Sequence, residues 1–322
     1  MGFFDRFCYG KAGKRDYTEM DMPKNRVSLF FLVFKDHFFD LIKVNALQLV
    51  FWVPFLIWTF MNVTILQSID TQAVLGSENG ESSFLGVMTM YLLTWLVGCV
   101  PCIVITGPSS AGAAYIMRNW ARDQHAFLFS DFKDAFKSNW KQALGVSLIE
   151  ALVPLLGCTA FAFYAKLAVN NTLMLLPMIL TLTVLVLWAL MLMLIYPLMV
   201  GYELSFKALL KNALLMSAAC FPQMLLARLI TSVPVVLLFV AVYIGNPMMM
   251  MIICMYYLLF GFALSRLIYA SFAHGVFDKY LNPHIEGAVV GQGLRPHSDD
   301  DDELFDDDDE DEYEDTLDED EA

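Results

Sequence analysis

Six predominantly apolar stretches, at about residues 44–66, 84–105, 142–167, 173–199, 223–244 and 248–269, constrain this chain more than any other feature. Each exceeds the roughly 18 residues that mark a membrane-spanning helix. Composition agrees: 58% of the chain is hydrophobic and 17% charged, with a mean hydropathy of +0.56, whereas soluble domains run near 45–50% and about 25%. The strict two-residue alternation of an outer-membrane barrel is absent. The expected fold class is all-α: a polytopic membrane protein of six transmembrane helices with interfacial amphipathic helices.

Breaks within and between these runs are marked by proline. Gly107-Pro108 should stop or kink the second span, because proline removes a backbone donor and clashes with the preceding turn. The stretch 211–245 is too long for one span, since 34 steps at about 1.5 Å give about 51 Å against a hydrocarbon core of about 30 Å. Pro222 is the expected break, with an interfacial helix before it. Residues 27–43, rich in phenylalanine, read as a further interfacial helix or helix lead-in.

The net charge of −14 hides two opposite parts. Residues 299–322 form an acidic tail whose 18 carboxylates, taken away, leave +4. Such charge density cannot collapse and reads as disordered; Leu304, Phe305, Tyr313 and Leu317 within it could dock a basic partner. The expected organisation is a basic arm (1–26), a transmembrane domain (27–278), a linker (279–298) and the tail. Basic residues set the orientation. Eight precede the end of the first span's lead-in, and the loops after spans two and four add five and two, whereas the remaining loops carry none and Lys166 alone. The positive-inside rule then puts both termini in the cytoplasm. No cleavable signal peptide is visible.

A repeat is suggested by Phe132-Lys133-Asp134-Ala135-Phe136-Lys137 and Phe206-Lys207-Ala208-Leu209-Leu210-Lys211, each followed by an asparagine (Asn139, Asn212) and a span. With Lys43-Val44-Asn45 before the first span, this implies three units of an interfacial helix and a helical hairpin.

Chemistry-bearing residues are few. Glu150 and Arg228 are placed inside spans, where a charge should face protein or water and be paired. Gly107-Pro108-Ser109-Ser110 opens a run of small residues suited to a close helix crossing, a gate or a docking platform. Arg118, Arg122, Lys137 and Lys211 make the following loops basic. Cys99 and Cys102 have redox spacing but lie in an apolar run with no neighbouring cation, and so read as structural filling. No cluster has metal-ligand spacing, no acid, base or nucleophile set is visible, and nothing calls for a cofactor or points to nucleic acid. The expected partner is the lipid bilayer.

Gly107-Pro108-Ser109-Ser110-Ala111, then Tyr115, Arg118, Trp120 and Arg122, then Asp131-Phe132, Ala135-Phe136-Lys137, Asn139 and Lys141-Gln142, resemble the YesL family of bacterial membrane proteins, defined by a domain of unknown function. The resemblance extends over about residues 34–278. It implies a cell-membrane protein associated with carbohydrate uptake beside ABC importers, whose subunits would be its partners, and it brings no catalytic residues. The arm and the tail depart from that compact pattern. Two functional classes stay open: an accessory or regulatory component of sugar uptake, and a small solute transporter or channel with a polar site near Glu150 and Arg228. A membrane enzyme is not expected.

Overall fold

In the computed structural model of the chain, residues 22–69 and 80–295 are described, side chains of 80–83 excepted. The acidic tail, most of the basic arm and the loop 70–79 lie outside the described residues. Ten α-helices and no strands make up the described fold. Helix α1 (Arg26–Asp36) precedes α2 (Phe38–Ser68), and α3 (Gly80–Val104) precedes α4 (Gly107–Trp120). Then come α5 (Leu128–Ala168), α6 (Leu175–Gly201), α7 (Phe206–Ala219) and α8 (Phe221–Tyr243). The last helix is composite: α9 (Pro247–Tyr256), a π turn (Tyr257–Gly261) and α10 (Phe262–Tyr280).

Six of these segments are long and apolar enough to cross a bilayer: Phe38–Ser68, Phe84–Val104, Leu128–Ala168, Thr172–Gly201, Phe221–Tyr243 and Pro247–Tyr280. The 23 residues of α8 span about 34 Å, enough for a hydrocarbon core of about 30 Å. Their outer faces expose large apolar side chains such as Leu180, Val236 and Phe239, a surface that suits lipid and not water. Of the three interfacial helices that the repeat implies, two are separate short helices, α1 and α7, while the segment before the third span is continuous with it. Asn25 and Ser205 cap α1 and α7, accepting hydrogen bonds from the Ser28 and Ala208 amides.

Two boundaries differ from the sequence reading. The third span was expected to begin near Gln142, but α5 starts at Leu128 and runs unbroken for 41 residues. No proline or glycine interrupts 128–141, so the basic, aromatic segment and the span share one helix. The last span was expected to end near Tyr269, whereas α10 continues to Tyr280.

Helix α4 organises the packing. Twelve of its 14 residues are buried, leaving Tyr115 and Arg118 half-exposed. It lies against α2, α5, α6 and α10. Close approach requires the small residues: a Cβ on Gly107 would sit 2.5 Å from the Ala143 carbonyl oxygen, and one on Gly112 would sit 2.9 Å from that of Phe132. Where α3 stops, Ser147 of α5 donates to the Val104 carbonyl at 2.8 Å, satisfying a group that the Gly-Pro break frees.

The described ends of the chain meet. Arg26 donates to the Ala121 and Gln292 carbonyls at 3.0 Å each and forms an ion pair with Asp278. The Arg295 amide donates to the Pro23 carbonyl at 3.0 Å. One end of the bundle therefore gathers residues 23–26, the α4–α5 loop and the segment after α10.

Candidate functional site

A cavity of about 180 Å³ opens between α2, α5, α6, α8 and α10, and its lining is unusually polar for the interior of a helical membrane protein. Helix α2 supplies Gln48 and Trp52, α5 supplies Glu150, α6 supplies Tyr196, α8 supplies Arg228, and α10 supplies Phe262, Ser265, Arg266 and Tyr269. Helical spacing explains the convergence on α2 and α10. Gln48 and Trp52 are four residues apart, and so are Phe262 and Arg266; residues so spaced share one face.

Charges around the cavity are held by neutral groups. Tyr196 donates to a Glu150 carboxylate oxygen at 3.2 Å. Arg228 donates to the Tyr269 hydroxyl at 2.7 Å, and that hydroxyl donates to Thr231 at 3.1 Å. Arg266 donates to the Ser110 hydroxyl of α4 and places its guanidinium 4.6 Å from the centre of the Tyr196 ring, a cation–π arrangement. Among the described residues, Arg26 pairs with Asp278 and Lys43 with Asp40, His37 lies 3.7 Å from the same Asp40 carboxylate, and no ion pair joins Glu150 to either arginine of the cavity. Glu150 and Arg228 thus face one cavity without pairing.

Two groups at the cavity have no partner. Gln48 is fully buried, and neither its amide nitrogen nor its amide oxygen makes a hydrogen bond. The indole nitrogen of Trp52 is likewise buried and unbonded. Buried polar groups are normally satisfied, because leaving one unbonded costs about 1–3 kcal/mol. The Trp52 ring stacks on Phe262, with centroids 5.0 Å apart and planes 19° apart, giving the cavity a flat apolar wall.

The π turn positions the Arg266 side of the site. Asn45 of α2, fully buried, donates to the Tyr257 and Leu258 carbonyls at 3.0 and 2.9 Å. Its side-chain oxygen accepts from the Phe262 and Ala263 amides at 3.0 and 3.1 Å. One side chain thereby satisfies backbone groups on both sides of the turn. π turns often mark functional sites, and this one begins the helix that carries Phe262, Ser265 and Arg266.

The structure divides the other residues singled out in the sequence. Ser110 reaches the cavity's edge through Arg266, while Gly107, Pro108 and Ser109 are buried in helix packing, with Ser109 donating to Thr106 at 2.8 Å. Arg118 and Arg122 lie at the end where Arg26 meets Asp278 and Gln292. Burial, and then the neighbouring Arg122 charge, lowers the Arg118 pKa from its ordinary value, and Arg122 donates to Gln292. Asn139 donates to the Ala135 carbonyl at 3.1 Å and borders a second, wider groove of about 630 Å³, to which Asp131, Asp134 and Glu203 contribute carboxylates. Lys137 and Lys211 are exposed and Asn212 is half-buried; none of the three reaches either cavity. Cys99 is buried, and Cys102 contacts the Gly98 carbonyl one turn back. Among the described residues, no group of three or more His, Cys, Asp or Glu side chains could hold a metal ion.

Sequence reasoning missed Arg266, Gln48, Trp52, Tyr196 and Tyr269. Arg266 was overlooked because the last span was expected to end three residues later. Gln48 follows Asn45 by three residues and precedes Trp52 by four on a span with few polar side chains, which was a readable signal. The tyrosines carry no such mark, since aromatic residues are common in spans.

Residues 87–158 match a family model described as "Protein of unknown function, DUF624". The match takes in α4 and Glu150 but not Gln48, Arg228 or Arg266. No curated protein and no solved structure matches the chain.

Proposed function

We propose that this is a YesL-type cell-membrane protein that binds a small polar solute within its transmembrane domain, as a non-catalytic component of carbohydrate uptake. The observation that carries the reading is the buried, unbonded Gln48 amide at a cavity also faced by Glu150, Arg228 and Arg266. A solute in the cavity would supply the partners that Gln48 lacks. The DUF624 match over 87–158 supports the YesL resemblance, and the sugar-uptake link rests on that resemblance. The basic residues favour cytoplasmic termini.

The test is a screen of purified protein in nanodiscs against small anionic, neutral, cationic and zwitterionic solutes. A ligand at about 100 times its Kd stabilises a fold by about 2.7 kcal/mol, which thermal unfolding detects. At least one class should stabilise the protein, and Gln48→Leu should remove that effect. A panel in which nothing stabilises it overturns the reading. Solute flux into liposomes then separates a transporter from an accessory protein. The accessory reading is favoured by the 630 Å³ groove at the loop-rich end, large enough to receive a segment of an importer subunit. Crosslinking in cells should recover that subunit.

A further inference from the structure

Resting on that reading, the geometry points to the chemical class of the solute: we propose a small organic monoanion that also carries a hydrogen-bond donor. The charges facing the cavity are two guanidiniums, Arg228 and Arg266, and one carboxylate, Glu150. With all three ionised, the lining has one positive charge in excess. A charge in a membrane interior costs at least about 2.5–3.5 kcal/mol on insertion scales, so a surplus there calls for compensation. One anionic group on the solute supplies it. A neutral solute leaves the surplus in place, and a cation adds to it.

The unbonded groups specify the rest. Trp52 Nε1 and Gln48 Nε2 are donors suited to an anionic acceptor, whereas Gln48 Oε1 is an acceptor that needs a donor from the solute. A hydroxy acid offers both in adjacent positions. The volume of about 180 Å³ corresponds to about six waters at about 30 Å³ each. That suits a compact hydroxy acid. The stacked Trp52 and Phe262 rings give its carbon skeleton an apolar wall.

The experiment uses the full chain in nanodiscs, with calorimetric titration of glycerate, glycerol, ethanolamine and malonate. Glycerate should bind at least about tenfold more tightly than glycerol or ethanolamine, as expected for one well-compensated charge worth about one power of ten. Arg266→Gln and Arg228→Gln should each weaken glycerate at least about tenfold, provided that gel filtration shows the variant folded. Glu150→Gln raises the excess to two positive charges and should favour malonate over glycerate by about tenfold. That arm does not depend on the arginine variants folding. Glycerol or ethanolamine binding as tightly as glycerate overturns the assignment of charge and leaves the solute site standing. Unchanged selectivity in Glu150→Gln also overturns the assignment. Binding of none of the four by the native protein overturns the assignment as well, and the broader panel then decides whether a solute site exists at all.

Discussion

Gly107 and Gly86 show how differently two glycines in apolar surroundings are used. A Cβ on Gly107 would lie 2.5 Å from both the Ala143 carbonyl oxygen and Ser147 Oγ, and the carbonyl belongs to the α5 backbone, which cannot rotate away. A Cβ on Gly86 meets nothing within 4 Å. Gly107→Ala should therefore destabilise the protein by about 1–3 kcal/mol, the usual cost of overpacking a tight core. Gly86→Ala, in an open helix interior, should cost nothing and stabilise the protein by about 0.5–1 kcal/mol. Unfolding in mixed micelles with increasing denaturing detergent measures both. The Gly-Pro-Ser-Ser string was legible as a close crossing because small residues admit a neighbouring backbone. That Ser110 also anchors Arg266 could not be read, since the contact joins positions 156 residues apart.

At the scale of the element, the composite last helix depends on a residue in a different helix. The π turn disturbs the regular ladder, and Asn45 supplies two donors and one shared acceptor to backbone groups around it. Side-chain hydrogen bonds between membrane helices average about 0.6 kcal/mol, so losing four of them implies about 2–3 kcal/mol. Asn45→Leu should lose that stability, and it should also weaken solute binding, because α10 no longer holds Arg266 in place. Asn45→Asp retains the acceptor but turns two carbonyl contacts repulsive, and it should be no better than leucine. Detergent unfolding and titration of the same samples check both effects. Breaks at Gly107-Pro108 and Pro222 were legible because proline and glycine announce them. The π turn was not, because Tyr-Leu-Leu-Phe-Gly reads as ordinary span, and the asparagine that stabilises it sits 212 residues away from the first carbonyl it meets. The unbroken α5 was misjudged for the opposite reason: a change from basic to apolar composition suggested a boundary that no backbone feature enforces.

For the whole molecule, the even number of spans and the meeting of residues 23–26 with 278–295 are two views of one arrangement. Arg26 joins the lead-in of α1 to the α4–α5 loop, to Asp278 at the end of α10 and to Gln292 beyond it. The pair is largely buried, with 17% and 14% of the two side chains exposed. Removing one partner strands the other, so Arg26→Ala and Asp278→Ala should each cost about 2 kcal/mol or more, a somewhat milder form of the loss on breaking a fully buried pair. The double variant should cost less than the sum of the two, because residues in direct contact are not additive. Hydrogen exchange at the Arg295 amide, which donates to Pro23, should accelerate in Arg26→Ala while core amides of α4 keep their protection. The same end carries Arg26, Arg118 and Arg122, whereas Lys166 lies near the opposite end of α5. Positive charge is retained on the cytoplasmic side, so reporters fused after Ala322 and before Met1 should both be inside an intact cell. Finding both outside would invert the molecule and place the Arg26 junction, the acidic groove and their proposed importer partner on the wrong side of the membrane.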